Sequence, residues 1–232
     1  MKLITEMTSG EAKRFFLKHE SYCSFSLPVY FDFSPLLDAV NESLEKKQNG
    51  ISDIGYKKAC EHEGTNYTLQ TNKDGHYSWR PFELIHPAIY AHLVHKITNN
   101  DDWELLLKRF SDFKRNPKII CASLPRESGN EEISDIAESV TSWWQDVEQE
   151  SINKALEFKY LFTTDIANFY PSIYTHSIPW AIHTKEVAHL FSSISCSFAG
   201  LSDTGPAMLQ FRVSPDHRLG FCCLACSYTT FR

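Results

Sequence analysis

The chain has 232 residues, enough for one large domain or two small ones, and its 42% hydrophobic and 22% charged residues describe a folded protein rather than a disordered one. A formal charge of -6 excludes indiscriminate binding to phosphate backbones, so any nucleic-acid contact has to use a local patch. The opening "MKLITEMTSGEAKRFFLKHE" has no apolar leader core, and no later stretch approaches the ~18 apolar residues of a membrane span. The expectation is a cytoplasmic protein with no membrane partner.

In chain order, "LPVYFDFSPLLDAVNESLEKK" reads as an extended lead-in followed by a helix, with Ser34 as N-cap, Pro35 as first helical residue and Leu36, Leu37, Val40 and Leu44 as the apolar face. Polar "QNGISD" ends it. "NYTLQTNKDGHYSWRPFELI" predicts two strands around Lys73-Asp74-Gly75, because Asp-Gly between aromatic and β-branched residues is a hairpin signal. Two helices follow in "HPAIYAHLVHKITNNDDWELLLKRFSDFK". Pro87 suits a first turn, Asn99-Asn100-Asp101 breaks the pattern, and Trp103, Leu106, Leu107 and Phe110 recur at helical spacing.

"PKIICASLP" predicts a short strand. Beyond it, Ile133, Ile136, Val140, Trp143, Val147, Ile152 and Leu156 mark a long helix or a pair of helices with acidic exposed faces. "LFTTDIANFYPSIY" predicts a strand that ends near Asp165, with a helix able to start at Pro171-Ser172-Ile173. The 45 residues from Ala188 to Arg232 differ from the rest: they hold no Lys, no Glu, two Asp and three Arg, where ~25% charged residues would give about eleven. They also hold four of the seven cysteines and show no sustained periodicity.

Several groups invite a chemical reading. An odd number of cysteines without a leader implies reduced thiols. Cys223-x-x-Cys226 is half of a zinc site without a second pair, and His92 and His95, three apart on a helix, read as exposed or interfacial histidines. Lys108, Arg109, Lys114, Arg115 and Lys118 interleave with Phe110 and Phe113, the pattern either of a phosphate-binding patch or of an amphipathic helix with a solvated basic face. Asp165 fits a strand-end residue that caps a helix, or a carboxylate holding a divalent cation against a triphosphate. Lys73 at a hairpin tip and Arg80 in "WRPF" suit a triphosphate, Arg offering a planar fork to its oxygens, and Tyr170 suits a wall at a sugar 2′ position. Taken singly, Lys73 reads as a turn residue, Arg80 as a surface ion-pair partner and Tyr170 as a core ring.

Together and in this order, these segments resemble the reverse transcriptase family, most closely the bacterial enzymes associated with antiphage defence. "NKDGHYSWRPFELIHPAIY" is similar to the fingers hairpin, whose lysine-and-glycine turn and later Arg-Pro carry the cations for the triphosphate. "FTTDIANFYPSIY" is similar to the palm strand bearing the first catalytic aspartate, and "LPVYFDFSPLL", "SWWQDVEQESI" and "TDIANFYPSIYTHSIPWAIH" also have counterparts in that group.

The resemblance spans about residues 20 to 187. It implies an α+β, helix-rich fold: an N-terminal extension and fingers-like region with a helical insertion over 1–160, the start of a palm over 161–187, and an atypical tail over 188–232. It further implies RNA-directed DNA polymerase activity with Mg²⁺ or Mn²⁺, an RNA template, a DNA or RNA primer and deoxynucleoside triphosphates. Asp165 and the Ile166 carbonyl would bind metal, Lys73 and Arg80 the triphosphate, and Tyr170 would gate the sugar; His176 and Trp180 would pack or orient.

The chain departs from the family where the second half of its chemistry should stand. No Asp-Asp follows Asp165, and one carboxylate cannot hold two metals ~4 Å apart. The expectation is a truncated gene, read in another frame after about Val187, whose product is inactive as an isolated chain. The alternative is a non-enzymatic remnant that binds nucleic acid or protein.

Overall fold

The computed structural model describes residues 1–23, 27, 28, 30–46, 66–72, 79–117, 120–130, 133–160, 162 and 177–183, with the backbone alone at 71, 72 and 79–83. Among these residues the protein is α+β and helix-rich, with two separate antiparallel strand pairs. Strand β1 (Lys2–Leu3) leads through a single 3-10 turn (Ile4–Glu6) to α1 (Ser9–Phe16), α2 (His19–Tyr22) and α3 (Ser34–Lys46). The ribbon β2 (Tyr67–Asn72) and β3 (Trp79–Leu84) follows, then α4 (Pro87–Ile97), α5 (Asn100–Lys114), β4 (Arg126–Glu127), α6 (Asp135–Glu157) and α7 (Ser177–His183).

Local chemistry sets these boundaries. At α1 the Thr8 hydroxyl accepts the Glu11 N–H (3.4 Å) while the Glu11 carboxylate accepts the Thr8 N–H (2.8 Å), a reciprocal capping box. Lys2 reaches the same carboxylate at 2.6 Å, and this bond, with those from Thr8, holds the Glu11 pKa down at about 2. Helix α4 begins with Pro87 in its first turn, where the missing N–H costs nothing, and the His86 Nδ1 accepts the Ala88 N–H (3.2 Å). The break foreseen at Asn99 is present, since α4 ends at Ile97 and α5 starts at Asn100.

Two apolar clusters hold the helices. Ile4, Met7, Ala12 and Phe15 from the N-terminal segment meet Trp103 and Leu106 of α5 and Ile182 of α7. The Trp103 indole N–H donates to the Met7 carbonyl at 2.9 Å, so the ring enters the core with its polar atom satisfied. The second cluster joins Tyr22, Cys23 and the fully buried Leu37, with Leu27, Phe33, Leu84 and Tyr90 packed on it. Tyr90 bridges toward α1 by donating to the Phe16 carbonyl (2.6 Å), and Ser9 ties α1 to the end of α4 through the Thr98 carbonyl (2.7 Å).

Three expectations are corrected here. Helix α3 starts at Ser34 rather than after it, with the Asp32 carboxylate accepting the Ser34 N–H (2.9 Å); Leu37 is buried but Leu36 is exposed, so the buried stripe is narrower than foreseen. The strand foreseen within 117–125 is displaced. Residues 120–125 are irregular, and the extended pair is Arg126–Glu127, because these are the residues that find a partner in Lys2–Leu3.

Of the two readings offered for the stretch beyond 133, the single long helix is the one present, as Asp135–Glu157, and its buried positions are polar. Asp135, Ser139 and Ser142 are buried, whereas Ile133, Val140, Ile152 and Leu156 are exposed. Hydrogen bonds explain the inversion. The Ser139 hydroxyl accepts the Arg126 N–H (3.0 Å) and donates to the Arg126 carbonyl (3.2 Å), which satisfies backbone groups that the two-residue strand β4 leaves over. Gly129 completes this corner, where an added Cβ would lie 2.9 Å from the Met1 nitrogen.

Candidate functional site: a strand ribbon and its root

The foreseen hairpin strands are present as an antiparallel ladder running from Tyr67 opposite Leu84 to Asn72 opposite Trp79. Arg80 lies opposite Thr71, near the far end of the ladder. Lys73, which follows the last paired residue of β2, lies outside the described residues, as do Asp165, Ile166 and Tyr170. The ladder therefore gives Arg80 a register, and Arg80 is the one foreseen site residue whose backbone lies among the described residues. The strand expected before Asp165, the helix start at Pro171, His176, Lys118, Cys223 and Cys226 also lie outside the described residues.

The root of the ribbon is built from residues that local sequence reading did not single out. Ile85, the first residue beyond β3, offers its carbonyl to the Tyr22 hydroxyl at 2.5 Å. His86 donates its N–H to the Asn66 side-chain oxygen at 3.1 Å, closing the base between the residue before β2 and the cap of α4. Leu84 packs on the Tyr22, Cys23 and Leu37 cluster. Tyr22 is 63 residues from Ile85 in sequence, and no local pattern reports so distant a bond.

Tyr22 itself is held on two sides. Its ring meets Phe33 edge-on at 5.3 Å and Tyr90 at 5.0 Å, and burial, with Cys23 adding to it, pushes its hydroxyl pKa up to about 12. Burial pushes the Tyr90 hydroxyl up as well. Both remain proton donors throughout the neutral range. His19, stacked on Phe33 at 5.5 Å, accepts the Phe33 N–H on Nδ1 (3.0 Å) and so fixes the turn that leads into α3.

The basic stretch on α5 has the character of a structural helix face. Arg109 donates from Nε (2.9 Å) and Nη2 (2.8 Å) to the Ala181 carbonyl of α7, lies 3.8 Å from Asp112 and stacks over Phe113 at 4.8 Å. Arg115 pairs with Asp112 at 3.2 Å, while Lys108 and Lys114 are exposed. Arg109, one of the five cations of the stretch, thus anchors a helix.

His92 and His95 are half-buried on α4, and His95 bonds the Asn41 side-chain oxygen of α3 at 2.7 Å, an interfacial role. Burial lowers the pKa of both, and Lys13 adds to the effect at His95. Among the described residues there is no group of three or more His, Cys, Asp or Glu placed to hold a metal ion, and no helix long and apolar enough to cross a membrane. No family model matches the chain, and no curated protein matches it.

Proposed function

We propose that this chain is a reverse-transcriptase-family protein that carries the fingers part of an RNA-directed DNA polymerase and acts, as an isolated chain, by binding rather than by nucleotidyl transfer. The observation that carries the reading is the ribbon. The segment resembling the fingers hairpin pairs in antiparallel register, sets Arg80 opposite Thr71 and runs at once into a helix that starts at Pro87.

On this reading Lys73 and Arg80 bind the triphosphate of a deoxynucleotide, Lys73 as a point charge and Arg80 as a fork. Tyr170 stands at the sugar, and an RNA template with its primer lies along the fingers. The donor set for metal is Asp165 with the Ile166 carbonyl. Paired Mg²⁺ or Mn²⁺ ions need more carboxylate than that, so the donors do not fit the two-metal centre and no transfer step is assigned to this chain.

The test is deoxynucleoside triphosphate binding beside template-primed incorporation, on the wild type and on Lys73→Ala, Arg80→Ala and Asp165→Ala. Expected are salt-sensitive binding, a roughly tenfold to hundredfold weakening for each cation variant, as charged hydrogen bonds of ~1.5–3 kcal/mol dictate, and no incorporation by any of them. Incorporation that Asp165→Ala abolishes would overturn the assignment of binding alone. Nucleotide binding indifferent to Lys73 and Arg80 would overturn the polymerase reading and leave a remnant that binds nucleic acid or protein.

A further inference from the structure

We propose that Tyr22 is a positioning residue that sets the reach of the β2–β3 ribbon, its buried hydroxyl clamping the Ile85 carbonyl so that Arg80 is held at a fixed angle to the helical body. This rests on the reading of the ribbon as a triphosphate contact. Tyr22 is 8% exposed and its ring is wedged between Phe33 and Tyr90, so the hydroxyl has a fixed place from which to donate at 2.5 Å. Tyr90 is fixed in turn by its bond to the Phe16 carbonyl at 2.6 Å. The chain of contacts runs from the end of α1 to the foot of β3 through two aromatic rings.

The geometry of the root explains why one hydroxyl matters. The ribbon is tied on one side by Asn66 and the His86 N–H, and on the other by Tyr22 and the Ile85 carbonyl. These two ties, with Leu84 packed beside them, fix the angle, and removing the Tyr22 bond leaves the Ile85 side held by packing alone. Arg80 is five residues from Ile85, a lever of roughly 17 Å at ~3.3 Å per residue. A tilt of about 10° at the root then moves Arg80 by ~3 Å, the difference between a hydrogen bond to a phosphate oxygen and none.

The experiment uses the full chain and two readouts, backbone amide exchange over 67–72 and 79–84 and affinity for inorganic tripolyphosphate. Tyr22→Phe keeps the ring and removes the tie, and Leu106→Ala destabilises the other cluster without touching the root. Expected for Tyr22→Phe is faster exchange in the ribbon and a roughly threefold to tenfold loss of tripolyphosphate affinity, the worth of one ordinary hydrogen bond, with a cooperative melt retained.

Unchanged exchange in Tyr22→Phe would overturn the proposal, as would equal effects from Leu106→Ala. Faster exchange with unaltered affinity would overturn the coupling of the root to the site. A wild type that binds no tripolyphosphate would refute the ribbon's role in nucleotide contact, and the exchange data would still decide whether Tyr22 fixes the root.

Discussion

Asp135→Ala should be the most damaging single exchange in the polar junction that seats the long helix α6. The Asp135 side chain is 9% exposed and accepts Lys18 Nζ at 2.7 Å and the Ser128 N–H at 2.7 Å, while its own N–H donates to the Glu20 carboxylate at 2.9 Å. Burial alone would pull the Lys18 pKa down, but the bonds from Asp135 and Glu127 outweigh it and hold Lys18 above its ordinary value. Truncation strands the Ser128 N–H at ~1–2 kcal/mol. It also removes one of the two carboxylates on Lys18, worth only ~1 kcal/mol because Lys18 is 39% exposed and keeps Glu127 at 2.8 Å. A loss of about 2–3 kcal/mol follows, which in a chain of this size lowers the Tm by about 5–10 °C. Urea melts of Asp135→Ala, Asp135→Asn, Lys18→Met and the Asp135→Ala/Lys18→Met pair measure it. Asp135→Asn keeps an acceptor for Ser128 and should cost about half as much. Asp135→Ala within ~0.5 kcal/mol of wild type, or a strictly additive double variant, would refute the reasoning.

Arg109→Ala should free α7, since the Ala181 carbonyl loses both guanidinium bonds; amide exchange over 177–183 should rise with a loss of ~1.5–3 kcal/mol, and unchanged exchange there would refute it. Stability should also fall in mild acid. The fold lowers the pKa of His92, His95 and His183 through burial, so the unfolded chain takes up protons more readily, and stability present above the ordinary imidazole value of 6.5 is lost as pH drops through it and levels off below the folded values. Charging His95 sets it against Lys13 and His92, with Glu45 opposing. Urea midpoints at pH 7.5 and 5.5 check this, and His95→Gln should flatten part of the slope. Glu11, Asp32 and Glu45, whose pKa values are held below normal by Lys2, Ser34 and Lys13 respectively, act in a lower window, their contribution beginning to fall at the ordinary carboxylate values of 3.8 to 4.5 and gone once pH has passed their folded values, about 2 for Glu11.

What local sequence carries well is what local physics decides. Pro87 after His86 marks a helix start, Asn99 a break, and aromatic and β-branched residues around Asp-Gly mark paired strands; each appears where the sequence places it. The apolar stripe of α6 misleads because it is periodic yet nowhere fully buried, Ile136, Trp143 and Val147 being half-buried and Val140, Ile152 and Leu156 exposed, and the helix seats instead through Asp135 and Ser139 on groups 100 residues or more away, such as Lys18, or across the β4 turn. Strand β4 could not be foreseen at Arg126–Glu127, since a two-residue strand exists only by virtue of its partner Lys2–Leu3. Of the foreseen site, the register of Arg80 is what the described residues include. Its supports, Tyr22 and Asn66, carry no signature at all, because a tyrosine that ends a short helix looks the same whether its hydroxyl meets solvent or a carbonyl.

The fate of the cations sharpens the functional choice. On sequence, the α5 stretch and the ribbon compete as the place where an acidic protein would meet phosphate. Arg109 is tied to Ala181 and stacked on Phe113, and Arg115 faces Asp112, so the interleaved charges of α5 are partly neutralised within their own helix and partly used to hold α7. Lys108 and Lys114 are exposed on this face, but its two arginines would have to leave existing bonds to meet a polyanion. The ribbon differs in kind. Its root is fixed by uncharged ties, a tyrosine hydroxyl on a carbonyl and an asparagine on an N–H, which position a strand without using up any positive charge. On the proposed reading of the ribbon, the mutational test therefore goes first to Lys73 and Arg80, since the two arginines of the α5 stretch are already committed to Ala181 and Asp112.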